Sequence, residues 1–303
     1  MHTHIDGSIE DDDIADFTGE IVDAHCHLNL PPLADNIPTV IEEARAAGLT
    51  RLLTCSVSLE GSDWERTRSI ASSYSDFVIP FYGLHPCYLA KHISISSSSS
   101  SNSSSNWESE LDKMLQADVN AHVGECGLDK RVTKEVSKEV QEHFLRRHFA
   151  AAQRHGRVLC IHCVQSWGSL YSVLKEEFAV VKGQGEAATR IQGVLLHSSN
   201  SLPEDMVSGF AALPSVYFSL NGRHTTSAKE LATIRKIPSD KMLLETDSPD
   251  QLPLYFKSLS LTHNSPRLIR YTVLDIARIL KVTPTTVAST TTSNFNILFR
   301  IAK

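Results

Sequence analysis

No apolar run in the sequence approaches the ~18 residues that a membrane-spanning helix needs, and there is neither an excess of positive charge nor a dense set of cysteines. The first absence, in a chain of 303 residues with 41% hydrophobic content, argues for a soluble globular protein with a sizeable core, and no membrane partner is expected. The opening "MHTHIDGSIEDDDIADF" is polar and acidic, unlike the basic and then apolar start of a secretory signal. The expected location is therefore intracellular, in cytoplasm or nucleus.

Positive charge is missing where a polyanion would need it. The formal net charge is −6, and residues 1–20 hold seven acids with no Lys or Arg. The rest of the chain carries 29 basic against 28 acidic residues, so a nucleic-acid partner has to be held by a local patch or by metal ions. The cysteines Cys26, Cys55, Cys87, Cys126, Cys160 and Cys163 are scattered and do not read as a disulfide framework. Cys160 and Cys163 have C-x-x-C spacing but lack the second such pair of a zinc module. No G-x-G-x-x-G follows a strand, which disfavours a nucleotide-binding doubly wound sheet.

Two segments have too little apolar surface to offset chain entropy: the acidic tail, residues 1–19, and "SISSSSSSNSSSN", about residues 94–106. The first is expected to be a disordered tail and the second a loop insertion within a single domain spanning 20–303. Both are candidate contact segments for a protein partner. Elsewhere, short β-branched runs alternate with longer amphipathic ones. Strands are predicted at "EIVDAHCHL", "RLLTCSV", "FVIPFYGLH", "AHVGECGL", "RVLCIHC", "IQGVLLH", "VYFSLN" and "KMLLETD", each followed by a helical pattern. Eight such units predict a (β/α)8 barrel of TIM type, with an extra last helix capped by Thr283 and Pro284.

In such a barrel, functional side chains come from the C-terminal strand ends. Asp23, His25 and His27 end the first strand, His85 the third, Glu125 the fourth, His162 the fifth, His197 the sixth and Asp247 the eighth. Strand alternation aims His25 and His27 together and turns Cys26, Cys126 and Cys163 away, with Cys160 one layer below His162. The same parity predicts that His122 faces away from Glu125. A desolvated cluster of imidazoles and carboxylates is costly unless cations occupy it. His25, His27, Glu125, His162, His197 and Asp247 would suffice for two divalent ions with Glu125 shared, the arrangement of a metal-dependent hydrolase. His85 is expected at the same rim in a substrate-contacting role. His143, His148 and His155 read as a packed or solvated helix face, and His2 and His4 as bystanders in the tail.

These residues resemble the TatD-like metal-dependent deoxyribonucleases. "IVDAHCHLN" is similar to the opening D-x-H-x-H of that family, "GLHP" to its G-x-H-P, "VGECGLD" to its G-E-x-G-L-D and "ETDSP" to its closing motif. Weaker similarities run through "QEHF", "NSP" and "SNFNILF", so the ordered set spans residues 21–299. The resemblance implies a TIM-type barrel and hydrolysis of DNA phosphodiester bonds, often from the 3′ end, with Mg2+ usual and Zn2+ or Mn2+ as alternatives. It also implies that His25, His27 and Asp247 hold one ion and His162 and His197 the other, with Glu125 bridging and Asp247 orienting or deprotonating water. Two departures stand out: "IHCVQSWG" places Val164 where the family has the arginine of H-x-R, and "HSSNS" replaces H-x-F-[ST]-G. The H-C-V-Q variant is similar to a fungal subgroup. Arg223, in "SLNGRHTT", is the candidate to supply the missing phosphate contact. An amidohydrolase acting on an amide, lactone or nucleobase, and an interaction protein that keeps the metal residues, are the competing readings.

Overall fold

The computed structural model describes residues 19–92, 107–183, 190–222, 227–253, 256 and 261–301. Most of the acidic tail, the Ser-rich segment and Arg223 lie outside the described residues.

The eight aliphatic runs form β1 (Ile21–Cys26), β2 (Leu49–Cys55), β3 (Val78–Tyr82), β4 (His122–Asp129), β5 (Val158–Val164), β6 (Gly193–Leu196), β7 (Val216–Leu220) and β8 (Met242–Leu244). They pair in parallel and in chain order. Beyond β8 the sheet closes on β1: Asp247 N donates to the His25 carbonyl at 2.9 Å, and His27 N donates to the Ser248 carbonyl at 2.7 Å. The result is the (β/α)8 barrel expected from the alternation of patterns. Among the described residues helices cover every strand: α1 (Ile37–Ala46), α2 (Asp63–Ser73), α3 (Trp107–Ala117), α4 (Lys138–His155), α5 (Trp167–Gly183), α6 (Glu204–Ala211), α7 (Ala228–Lys236) and α8 (Ile269–Leu280). The terminal α9 (Pro284–Phe299) starts as its sequence dictates, with Thr283 Oγ1 accepting from Thr286 N at 3.1 Å and Pro284 at the first position.

Strands buried on both faces need two apolar layers. The outer layer packs residues such as Leu52, Val123 and Val194 against the helices, for example Phe149, Val207 and Ile276. The inner layer fills the barrel with Val22, Leu53, Phe81, Cys160 and Leu243, and α9 adds Phe295, Leu298 and Phe299. α9 thus packs across the N-terminal end, opposite the rim where the polar strand ends meet.

One expectation about His122 is overturned. On β4, Val123 lies opposite Leu159 but Cys126 opposite Ile161, so three residues on one strand face two on the other. This bulge shifts the phase of the alternation. His122 and Glu125 therefore both face the interior, and the His122 ring sits 5.1 Å from Phe81 and 5.1 Å from Phe299, at the N-terminal end and away from the rim. A similar shift between Asp23 and Cys26 on β1 lets Val22 and Ala24 join the inner core while His25 also faces inward. Glycine makes the β4 bulge possible: Gly124 (φ +133°) and Gly127 (φ +150°) lie in backbone regions that L side chains rarely adopt. A Cβ on Gly127 would overlap the His162 carbonyl, and one on Gly124 would lie 2.6 Å from the Cys160 carbonyl oxygen. The two glycines of "GECG" let β4 press against β5 on either side of Glu125.

Candidate metal centre and active site

The structure brings His25, His27, Glu125, His162, His197 and Asp247 into one cluster at the open rim, each at most 8% exposed. Glu125 is its centre, and its two oxygens face different partners. Oε2 lies 3.4 Å from His25 Nε2 and 3.4 Å from His27 Nε2, while Oε1 lies 2.8 Å from His197 Nε2 and 3.1 Å from His162 Nδ1. Asp247 Oδ1 joins the first group, 3.5 Å from His25 Nε2 and 3.6 Å from His27 Nε2. One carboxylate thus touches two sets of imidazoles with separate oxygens, a donor arrangement with room for a cation on either side.

Hydrogen bonds behind the rings decide which nitrogen each presents. His27 Nδ1 lies 2.8 Å from the Cys55 carbonyl, which can only accept, so the Nε2 lone pair faces the cluster. His162 Nε2 lies 3.2 Å from Asp129 Oδ2, so its lone pair is on Nδ1, the atom beside Glu125. His25 Nδ1 contacts the sulfurs of Cys160 at 3.3 Å and Cys55 at 3.4 Å. His85 is different. Its Nδ1 accepts from Cys87 N at 3.2 Å, and burial, reinforced by His162 whenever that ring is protonated, pushes its pKa down to about 3. The neutral ring then carries its proton on Nε2, 3.4 Å from Glu125 Oε1, and offers a donor in place of a lone pair.

The charges of the cluster suit cations. Burial opposes charge on Glu125, but the imidazoles of His197, His85 and His25 reverse this and hold its carboxyl well below the usual range. Burial likewise opposes charge on Asp247, and its contacts with His27, His197 and His25 prevail. His197 is raised well above the ordinary histidine value, because Glu125 and Glu245 outweigh burial and the charge of His25. Protons on the imidazoles satisfy here the same charge demand that metal ions would satisfy, so the residues fit divalent cations.

Several residues brace the cluster in roles that the sequence does not announce, although Asp23 ends β1 and Gln141 and Asn264 lie in the quoted motifs. Asp23 accepts from Thr246 N at 2.9 Å and Thr246 Oγ1 at 2.6 Å, pinning the Asp247 segment to β1. Glu245, fully buried, accepts from Ser198 N at 2.8 Å and from Ser219 Oγ, and stands 3.8 Å from His197 Nδ1. Gln141 of the "QEHF" match holds the backbone of Asp129, with Asp129 N donating to its Oε1 at 2.7 Å. Asn264 of "NSP" donates to the Thr246 carbonyl at 2.7 Å. The weaker motifs are thus clamps on strand ends.

His148, read from the sequence as part of a packed or solvated helix face, is packed and also braces the site. It is fully buried, accepts from Leu84 N at 3.1 Å and holds the loop that carries His85, while its Nδ1 faces the Phe144 carbonyl at 2.7 Å. Burial lowers its pKa to about 4. A folded-state pKa below the unfolded value means that the unfolded chain binds the extra proton, so stability is full above pH ~6.5 and falls as the pH drops towards 4. The loss amounts to up to about 3 kcal/mol. Glutamine can replace both hydrogen bonds without titrating. The melting temperature of His148→Gln is accordingly expected to fall less than that of the unmodified chain between pH 7 and 4.5. Equal falls would show that His148 does not carry this acid sensitivity.

Above the cluster lies a cavity of about 380 Å³ whose wall includes His27, His85, Arg131, Val164 and Asp247. Among the described residues no helix is long and apolar enough to cross a membrane. The family model described as TatD related DNase matches residues 22–300. The chain is 25% identical over 285 residues to the deoxyribonuclease TATDN3 of Homo sapiens, covering 92% of this chain and 94% of that protein. It is 27% identical over 283 residues to the metal-dependent hydrolase YabD of Bacillus subtilis (strain 168), itself uncharacterized, covering 93% of this chain and 99% of that one. Among solved structures, the TatD homologue YJJV of Escherichia coli K12 superposes with a TM-score of 0.77 at 21% identity, over 93% of this chain and 98% of that one.

Proposed function

Because the chain belongs to the TatD related DNase family of metal-dependent hydrolases, we propose that it is a deoxyribonuclease acting on phosphodiester bonds with two divalent ions. The observation that carries this reading is the division of the Glu125 oxygens between two imidazole groups. In the proposed assignment His25, His27 and Asp247 hold one ion, His162 and His197 the other, and Glu125 both. Bound divalent ions would supply Lewis acidity towards a phosphoryl oxygen and a lowered water pKa.

The chain's own residues do the rest. Asp247 remains ionised in this surrounding and accepts the proton of the attacking water. The Nε2–H of His85 donates to an oxygen of the substrate phosphate or to Glu125. Asp129 holds the His162 ring in one orientation. α9 and the inner core close the barrel below the cluster, so the cavity is blind. A blind cavity accommodates a strand end better than a continuous duplex, which favours exonucleolytic cleavage.

The test is metal add-back. Chelator-stripped protein is expected to be inert and to regain cleavage of end-labelled DNA with Mg2+, Mn2+ or Zn2+, the elemental content identifying the ion. Turnover of amides, lactones or nucleobases with no cleavage of DNA under any of these metals would overturn the proposal.

A further inference from the structure

The cavity wall carries Glu125, Asp247 and Asp250, so a phosphodiester entering it meets negative charge. Arg131 is the one Lys or Arg on that wall among the described residues. It stands just after β4, its side chain 60% exposed, and pairs with the fully buried Asp129. Nε lies 3.0 and 3.1 Å from the two Asp129 oxygens and Nη2 lies 2.6 Å from Oδ2. This side-on clasp orients the guanidinium plane through Nε and Nη2 and leaves the Nη1 edge outside it. The same carboxylate faces His162 Nε2 at 3.2 Å, so the guanidinium is tied through one residue to an imidazole of the cluster.

Strand register adds a second observation. Val164 on β5 is the Cα partner of Asp129 on β4 and also lines the cavity. The apolar Val164 and the cation at Arg131 therefore border the same part of the wall, and a cation placed at either position would face the same anion.

We propose that Arg131 is the phosphate-binding arginine of this chain, pre-oriented by Asp129 to grip a non-bridging oxygen of the bound nucleic-acid backbone through its free edge. This assignment rests on the phosphodiester reading of the site. A pre-oriented guanidinium loses little freedom on binding an anion, and a charge-assisted bond of this kind makes its removal costly.

The experiment measures binding separately from turnover. A fluorescein-labelled single-stranded phosphorothioate oligonucleotide is titrated by anisotropy against the metal-loaded full chain across a salt series, alongside Arg131→Ala, Arg131→Lys, and Arg131→Ala combined with Val164→Arg. Arg131→Ala is expected to raise Kd by about 10–100-fold and to make the slope of log affinity against log salt shallower by about 0.7, with bound metal unchanged. The lysine variant regains part of the affinity, and Val164→Arg restores both affinity and slope in the alanine background. Unchanged affinity and slope in Arg131→Ala would overturn the assignment, as would a loss of bound metal with no change in slope, because Arg131 would then only brace Asp129 and His162. Binding that depends on Arg131 without any DNA cleavage would remove the nuclease reading and leave the anion subsite. Cleavage indifferent to Arg131 would do the reverse.

Discussion

Glutamine at position 125 is expected to remove bound metal and to lower the rate of phosphodiester hydrolysis by roughly 10³-fold, with the melting temperature little changed. Glu125 Oε1 serves His162 and His197 while Oε2 serves His25 and His27, so one side chain faces both halves of the cluster. Glutamine keeps the volume and one carbonyl oxygen, but it replaces the other oxygen with an amide nitrogen that has no lone pair for a cation. Metal-derived charge stabilisation amounts to several kcal/mol, and each 1.36 kcal/mol is tenfold in rate, which gives the ~10³ figure. The fold should survive because the partners are imidazoles. A buried Arg left without its carboxylate keeps its charge and costs ~3–5 kcal/mol, whereas His25 and His197 can release their protons. Elemental analysis, steady-state rates and thermal melts on the same preparation read the three quantities. A Glu125→Gln protein that keeps its full metal complement and its rate would mean that the carboxylate does not join the two groups.

Most of the fold was legible because it depends on local patterns that repeat. Each strand is buried on both faces by its neighbours' helices and announces itself as a short aliphatic run, and each helix as an amphipathic stretch with polar ends. The six residues now gathered at the rim could be named for a related reason. Strand ends of a closed parallel barrel must converge, so polar side chains at those ends are neighbours whatever their distance in sequence. What the sequence hid is whatever breaks the period of two. The bulge between Val123 and Cys126 turned His122 inward, and nothing in "AHVGECGL" except its two glycines hints at an extra residue in the ladder. Those glycines were the available signal.

The supporting layer was hidden for another reason. Asp23 to Thr246, Asn264 to Thr246 and His148 to Leu84 are hydrogen bonds between segments that no local pattern links. His148 lies on α4, where seven-residue spacing to His155 suggested only a shared face. In the structure His155 faces Asp112 at 2.7 Å while His148 is buried under the Trp107 ring, at a centroid separation of 4.5 Å. Their common periodicity concealed different surroundings. The C-x-x-C pair separates in the same manner, with Cys160 in the inner core and Cys163 in the outer. All six cysteines are free.

Asparagine at position 247 is the second large expected effect: a fall in kcat of about 10²–10⁴-fold with a smaller change in KM. Asp247 is tied at both ends of its segment, by its own N–H to the His25 carbonyl at 2.9 Å and by Ser248 O to His27 N at 2.7 Å, so the side chain has little room to move. Its backbone has φ +55°, a left-handed conformation that Asp and Asn tolerate better than most residues because their short polar side chains bond locally. Asn therefore removes the base while keeping the local geometry. Alanine removes the base and adds roughly 1–2 kcal/mol of backbone strain, so Asp247→Ala should melt below Asp247→Asn although both lose the rate. Separating the two variants distinguishes chemistry from folding at one position. A rate loss in Asp247→Ala that is absent in Asp247→Asn would trace the defect to the backbone and leave the proton transfer without its proposed acceptor.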